Sequence, residues 1–267
     1  LESDAVSHRN FGRFSGPFSL SLKEVEAVSS DEMGRAGFVA SFTDLRLFAR
    51  DFLSSVPMPG KIVRRELPLP PGPVSVGVLV LPQGRHPDVA EADEFFVVHA
   101  GSVTIECDGV GTRIDAGESF VVRSGTALRW EVRDSATLIF MRYRTASAAE
   151  PGIVGIDRGA ELAASGSPAA ELLVTPIPSC RNHTDYRSED GEFVCGVWDS
   201  TPYARKAMRY RHFELMHLLD GEVTFVDAAG RQGTFAGDDI FLVEKDAECS
   251  WDSKVYVRKV YAIWRPA

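Results

Sequence analysis

The sequence predicts an all-β chain built as two tandem barrels, and three observations carry that reading. Glu94-Phe95-Phe96-Val97-Val98-His99-Ala100-Gly101 recurs 120 residues on as Glu214-Leu215-Met216-His217-Leu218-Leu219-Asp220-Gly221. Each glutamate is followed 23 residues later by a turn glycine, in Ala116-Gly117-Glu118 and in Ala236-Gly237-Asp238. Both halves also break into short apolar runs divided by turn residues, the pattern of barrel or sandwich strands. Self-similarity at a fixed spacing means one β unit of roughly 100 residues used twice.

The elements follow in order. Residues 1–58 form an N-terminal arm, in which Asp44 to Leu53 reads either as an amphipathic helix capped by Thr43 or Asp44, or as an edge strand against a barrel. The first barrel is expected over 59–145. Its strands begin with Val76 to Leu81, ended by Pro82, and continue with Phe95 to Val98, Val103 to Cys107, Ser119 to Arg123 and Leu138 to Tyr143. Small residues, Gly and Pro mark a linker over 146–170. The second barrel, 171–267, repeats the order with Phe193 to Trp198, Glu214 to Leu219, Val223 to Val226, Ile240 to Val243 and Val255 to Ile263.

Composition narrows the function. Hydrophobic residues make up 44% and charged residues 25%, an ordinary globular balance. The net charge of −9 argues against nucleic-acid or anionic-membrane partners, since both need a basic face. There is neither an apolar run of about 20 residues nor a secretory-type leader. Cys107, Cys180, Cys195 and Cys249 are scattered without zinc spacing, which reads as reduced thiols in a cytoplasm. No phosphate loop, dinucleotide glycine motif or serine elbow is present, so nucleotide-dependent and serine-hydrolase chemistry have no support.

With the repeat in view, the chain resembles the cupin superfamily, small barrels of double-stranded β-helix, jelly-roll-like type. The Glu-x6-Gly half of the first cupin motif stands at Glu94/Gly101 and at Glu214/Gly221, and the leading glycine of the second motif is Gly117 and Gly237. Ala236-Gly237-Asp238, Trp251 and Val257-Arg258-Lys259-Val260-Tyr261 are similar to the two-barrel branch that includes the (S)-ureidoglycine aminohydrolases, with Trp130 standing for the tryptophan in the first unit. The resemblance covers about residues 75–145 and 190–264. The departures fall on the metal shell. The two histidine positions of motif one are Asp88 and Ala90 (or Pro87 and Val89) in the first unit, and Met208 and Tyr210 (or Ala207 and Arg209) in the second. In motif two the histidine position is Leu128 or Glu248, and the proline position is Arg123 or Val243.

A barrel metal site needs three or four N/O ligands converging from neighbouring strands. The candidate sets are His86, Asp88 and Glu94 in the first barrel, and His212, Glu214 and Glu248 in the second. They would hold one divalent ion (manganese, iron, nickel or zinc), although the missing histidines favour barrels without the usual metal. Alternation puts Glu94 with Phe96 and Val98, and Glu214 with Met216 and Leu218, on inward faces. A buried carboxylate needs a partner, and for Glu214 the nearby Arg209, Tyr210 and Arg211 are candidates. His99 and His217 alternate to the opposite face, at the exterior or an interface. Glu94, Glu214, Trp130, Trp251 and Tyr210 are the expected ligand-contacting residues.

Three readings follow. The first is a bicupin that binds a small polar metabolite. The second is a metal-dependent hydrolase or isomerase of the ureidoglycine aminohydrolase kind. The third is a dimerising scaffold, to which apolar exterior strands and a long arm are suited. The expected partners are a small-molecule ligand and a second copy of the chain.

Overall fold

The computed structural model describes residues 40–55, 60–144 and 150–267. The expected arm and linker lie partly outside these residues. The described chain is nearly all strand, in two barrels packed face to face.

An edge strand, β1 (Phe42–Asp44), leads directly into the one α-helix among the described residues, α1 (Leu45–Ser55). Of the two alternatives for Asp44 to Leu53 the helix is the one formed, and the edge strand lies just before it. Asp44 caps the helix: its Oδ1 accepts from the backbone N–H of Arg46 (2.9 Å) and Leu47 (3.1 Å), satisfying orphan donors of the first turn. The first barrel comprises β2 (Val63–Glu66), β3 (Val74–Val89), β4 (Asp93–Ala100), β5 (Ser102–Cys107), β6 (Val110–Asp115), β7 (Ser119–Val122), β8 (Ala127–Tyr143) and β9 (Ile153–Gly155). Its sheet runs β2-β3-β8-β4-β7-β9, with β5 joining β8 and β6.

The second barrel comprises β10 (Ala163–Ser165), β11 (Cys180–Arg187), β12 (Phe193–Ser200), β13 (Tyr203–Arg209), β14 (Phe213–Asp220), β15 (Glu222–Val226), β16 (Gln232–Ala236), β17 (Ile240–Val243), β18 (Glu248–Ser253) and β19 (Val257–Trp264). One sheet is ordered β1-β17-β14-β19-β12-β11-β10 and the other β13-β18-β15-β16. The arm's strand β1 thus closes the edge of the far barrel rather than the near one. No helix among the described residues is long and apolar enough to cross a membrane.

Burial explains where the strands run. The first half of β8 alternates between exposed and buried residues, as a strand wet on one face does, whereas its second half is buried throughout. There Leu138 and Phe140 face the barrel interior, while Ile139 and Met141 enter a core shared by both barrels. Val76, Val78, Phe95 and Val97 meet Phe193, Val197, Leu215, Leu242, Val260 and Ala262 in that core, with Leu45 and Ala49 of α1. Polar bonds cross the same seam: Tyr186 donates to Asp93 at 2.6 Å and Tyr143 to Asp190 at 2.8 Å. Strand β3 continues past Pro82 to Val89, where the sequence predicted a stop. A register shift between Pro82 and Gly84 absorbs the missing N–H, and the ladder with β8 resumes.

The repeated glycine has a common cause. Gly101 and Gly221 sit at φ +78° and +84°, and a Cβ on either would strike the carbonyl of Ser135 or Tyr256. Gly221→Ala is expected to lower stability by about 1–3 kcal/mol in urea unfolding. A cost under a few tenths would show that the turn relaxes freely.

Candidate functional site

The two glutamates occupy the same place in their barrels but receive different partners. Glu94 on β4 lies opposite Arg142 of β8. Its carboxylate is 3.1 Å from Arg142 Nε and 2.8 Å from a guanidinium nitrogen of Arg64 on β2. These contacts are close but bent, ion pairs rather than linear hydrogen bonds. Burial pushes the Glu94 carboxyl above its ordinary value, and the pull of the two arginines does not fully reverse this. The Arg64 guanidinium lies over the rings of Phe140 (5.1 Å) and Phe96 (5.9 Å). Phe96 in turn packs on Phe120 (5.3 Å) and edge-on to Trp130 (5.6 Å). These side chains pack on one another inside the first barrel.

Strand register shows what changes in the second barrel. Glu214 on β14 lies opposite Ile263 of β19, so the place of Arg142 is apolar. Arg64 pairs with Leu79 on β3, and the matching pair in the second barrel is Asn182 with Trp198. Both guanidiniums are therefore gone. The replacement cation comes from two register steps along the closing strand, where Lys259 pairs with Leu218 as Leu138 pairs with Val98. Lys259 Nζ lies 2.7 Å from Glu214 Oε1, and 4.7 and 5.3 Å from the ring centroids of Trp198 and Trp251. His212 Nε2 is 3.3 Å from Glu214 Oε2. Burial opposes ionisation of Glu214, but Lys259 and His212 outweigh it and hold the pKa at about 2. An ionised carboxylate only accepts, so Nε2 of His212 is the donor in this contact.

Around this group the second barrel keeps a cavity of about 630 Å³, within the range of small-molecule sites. Trp198, Tyr203, Trp251 and Tyr261 form aromatic walls; Tyr203 and Trp251 are stacked at 5.5 Å. Tyr210 lines the cavity and receives a 2.7 Å hydrogen bond from Arg205.

Of the residues singled out from sequence, Glu214, Trp251, Tyr210 and His212 meet in this one cavity. Glu94 and Trp130 lie in the first barrel instead. Glu248 does not converge with His212 and Glu214. Strand β18 turns Cys249 and Trp251 inward, which leaves Glu248 exposed. The first trio does not assemble either: His86 Nε2 lies 3.0 Å from the Pro82 carbonyl, and Asp88 accepts from Trp130 Nε1 at 3.0 Å. Glu214 is held by Lys259, not by Arg209, Tyr210 or Arg211. Arg209 pairs with Asp246 at the surface, and Arg211 is exposed. His99 and His217 line a separate cavity of about 310 Å³ with Val98 and Ile240.

Among the described residues no three His, Cys, Asp or Glu side chains are placed to hold a metal ion. The donor chemistry agrees with this, because each inward glutamate already has a protein cation against it, and so the residues do not fit the usual cupin metal. Sequence reasoning missed Lys259, Arg205, Trp198 and Tyr203 as parts of the site. Lys259 and Tyr261 did carry a signal, alternating on one face of the closing strand.

None of the curated proteins matches the chain. Among solved structures, the chain is similar to a protein of unknown function from Pseudomonas syringae pv. tomato: 31% identity, 75% of this chain and 86% of that one covered, TM-score 0.71. It shares its fold with a conserved-barrel cupin protein from Leptotrichia buccalis (10% identity, 86% and 99% covered, TM-score 0.52). The same holds for a salicylate 1,2-dioxygenase from Pseudaminobacter salicylatoxidans (11% identity, 84% and 83% covered, TM-score 0.56). Residues 69–137 and 187–261 each match the EutQ-like cupin domain, one match per barrel, and the chain belongs to that cupin family.

Proposed function

We propose that this bicupin binds a small polar metabolite in its second barrel, while the first barrel serves as a packed structural partner. One observation carries the reading. At matching positions the first barrel holds two arginines and a ring cluster, whereas the second holds Asn182, Ile263 and a cavity of about 630 Å³. Inside that cavity Glu214, Lys259 and His212 make a compact polar group between aromatic walls, the combination that orients a small ligand. The other reading, a metal-dependent hydrolase like the ureidoglycine aminohydrolases, needs several donors converging on one ion. The Glu214–Lys259 pair argues against it, because the ammonium sits where the carboxylate would meet such an ion.

A thermal-shift screen of small organic acids, amino acids and ureido compounds tests the proposal. A ligand present at 100 times its Kd adds about 2.7 kcal/mol, a rise of about 5 °C for a protein of this size. The rise is expected in the native protein and not in a Met208→Trp variant, which puts a larger side chain into the lining of the chamber. Equal shifts in both proteins, or none in either, would count against the second barrel as the binding site.

A further inference from the structure

Among the described residues, the arginines and the lysine that face the barrel interiors are matched to carboxylates, with one exception. Arg64 and Arg142 share Glu94, and Lys259 has Glu214. Arg205 on β13 is only 5% exposed and lines the cavity, yet its partners are all neutral. One terminal nitrogen donates to the carbonyls of Cys249 (2.7 Å) and Lys206 (3.2 Å), and the other to the Tyr210 hydroxyl (2.7 Å). A guanidinium has five N–H donors, so two are left over. Holding such a charge away from water without an opposite charge is costly.

The position is particular to the hollow barrel. Arg205 lies opposite Trp251 as His86 lies opposite Trp130, so the first barrel has an imidazole bound to a backbone carbonyl where the hollow one has a guanidinium. Two residues earlier on the same face, the buried Tyr203 hydroxyl makes no hydrogen bond to any described residue and supplies another donor. The lining of the cavity as a whole carries Arg187, Arg205, Lys259 and Arg265 against the carboxylates of Glu192 and Glu214.

We infer that the ligand of the second barrel is a small organic acid with a flat apolar body, its carboxylate seated on Arg205 and Tyr203 and its body against Trp198 and Trp251. The inference rests on the proposal that this barrel is a ligand chamber. The carboxylate restores charge balance and takes the spare guanidinium donors in the fork geometry that suits it. The rings supply the apolar contact.

Isothermal titration of the full chain with matched acid and amide pairs tests this: benzoate with benzamide, phenylacetate with phenylacetamide, nicotinate with nicotinamide. The acid is expected to bind about 10- to 100-fold tighter than its amide, the range for hydrogen bonds to a charged group. Arg205→Met should erase that preference and Arg205→Lys should keep part of it. Tyr203→Phe, which leaves the guanidinium in place, should weaken the acid several-fold and gives a readout should Arg205→Met fail to fold. Acid and amide binding equally, or Arg205→Met retaining the preference, would overturn the carboxylate assignment while leaving the chamber intact. Inorganic phosphate binding as tightly as the acids would overturn the organic-acid assignment in favour of a simple anion site. Heat from none of these compounds would remove the chamber itself, and the inference with it.

Discussion

A Lys259→Met variant is expected to lose about 3–5 kcal/mol of stability at neutral pH, the usual cost of leaving one member of a buried ion pair alone. Glu214 and Lys259 are 7% and 5% exposed, so solvent cannot take over the role of the missing ammonium. The double variant Lys259→Met/Glu214→Gln should recover most of the loss, because the stranded charge is then gone. The pH dependence follows from the same pair. In the native protein Glu214 has its pKa depressed from 4.5 to about 2. It therefore contributes stability that is present above about 4.5 and is lost as the pH falls through about 2. In Lys259→Met, burial raises that pKa instead, so the variant should gain stability as the pH is lowered from 7 towards 5. Urea unfolding at several pH values checks both statements. A single variant as stable as the native chain at pH 7 would refute the pairing.

The second large effect separates the two tryptophans, which hold matching positions. Trp130→Ala is expected to cost about 3–5 kcal/mol, because Trp130 is 1% exposed and its ring is enclosed by Phe96 and Phe120. It should leave ligand binding unchanged. Trp251→Ala removes the ring that stacks on Tyr203 and lies beside Lys259, and should weaken binding more than tenfold as well as destabilise the barrel. Unfolding curves paired with titration of the same ligand distinguish the two. If both variants lost binding equally, the division of labour between the barrels would be wrong.

What could be read in the sequence was what repeats locally. The spacing from Glu94 to Gly101, and from Glu214 to Gly221, reflects one strand and its left-handed turn, so it identified both barrels and both inward carboxylates. The partners of those carboxylates were hidden because they arrive across strand pairings. Arg142 is 48 residues from Glu94, Lys259 is 45 residues from Glu214, and only register brings them near. Arg205 was hidden for a sharper reason. Counting back by twos from Glu214 through His212, Tyr210 and Met208 puts Lys206 on the inward face. A register shift between Arg205 and Met208 reverses the parity, so Arg205 turns in and Lys206 turns out. Glu248 failed in the opposite way: family spacing selected it, but strand alternation sends it outside.

The place of β1 imposes an order of events on synthesis. Phe42 pairs with Val243 and its ring packs on Phe225 and Phe235, while Leu45 and Ala49 of the following helix enter the shared core. Phe42 leaves the ribosome roughly 200 residues ahead of Val243, a delay on the order of 10–40 s at ordinary elongation rates, whereas Leu45 and Ala49 have Val76, Val78 and Phe95 of the first barrel to pack on much sooner. The first barrel has all its strands once Gly155 has emerged and can close during that interval. The second waits for β19, and β1 waits with it, Phe42 uncovered in the meantime. A strand made before either barrel is thus among the last to reach its place.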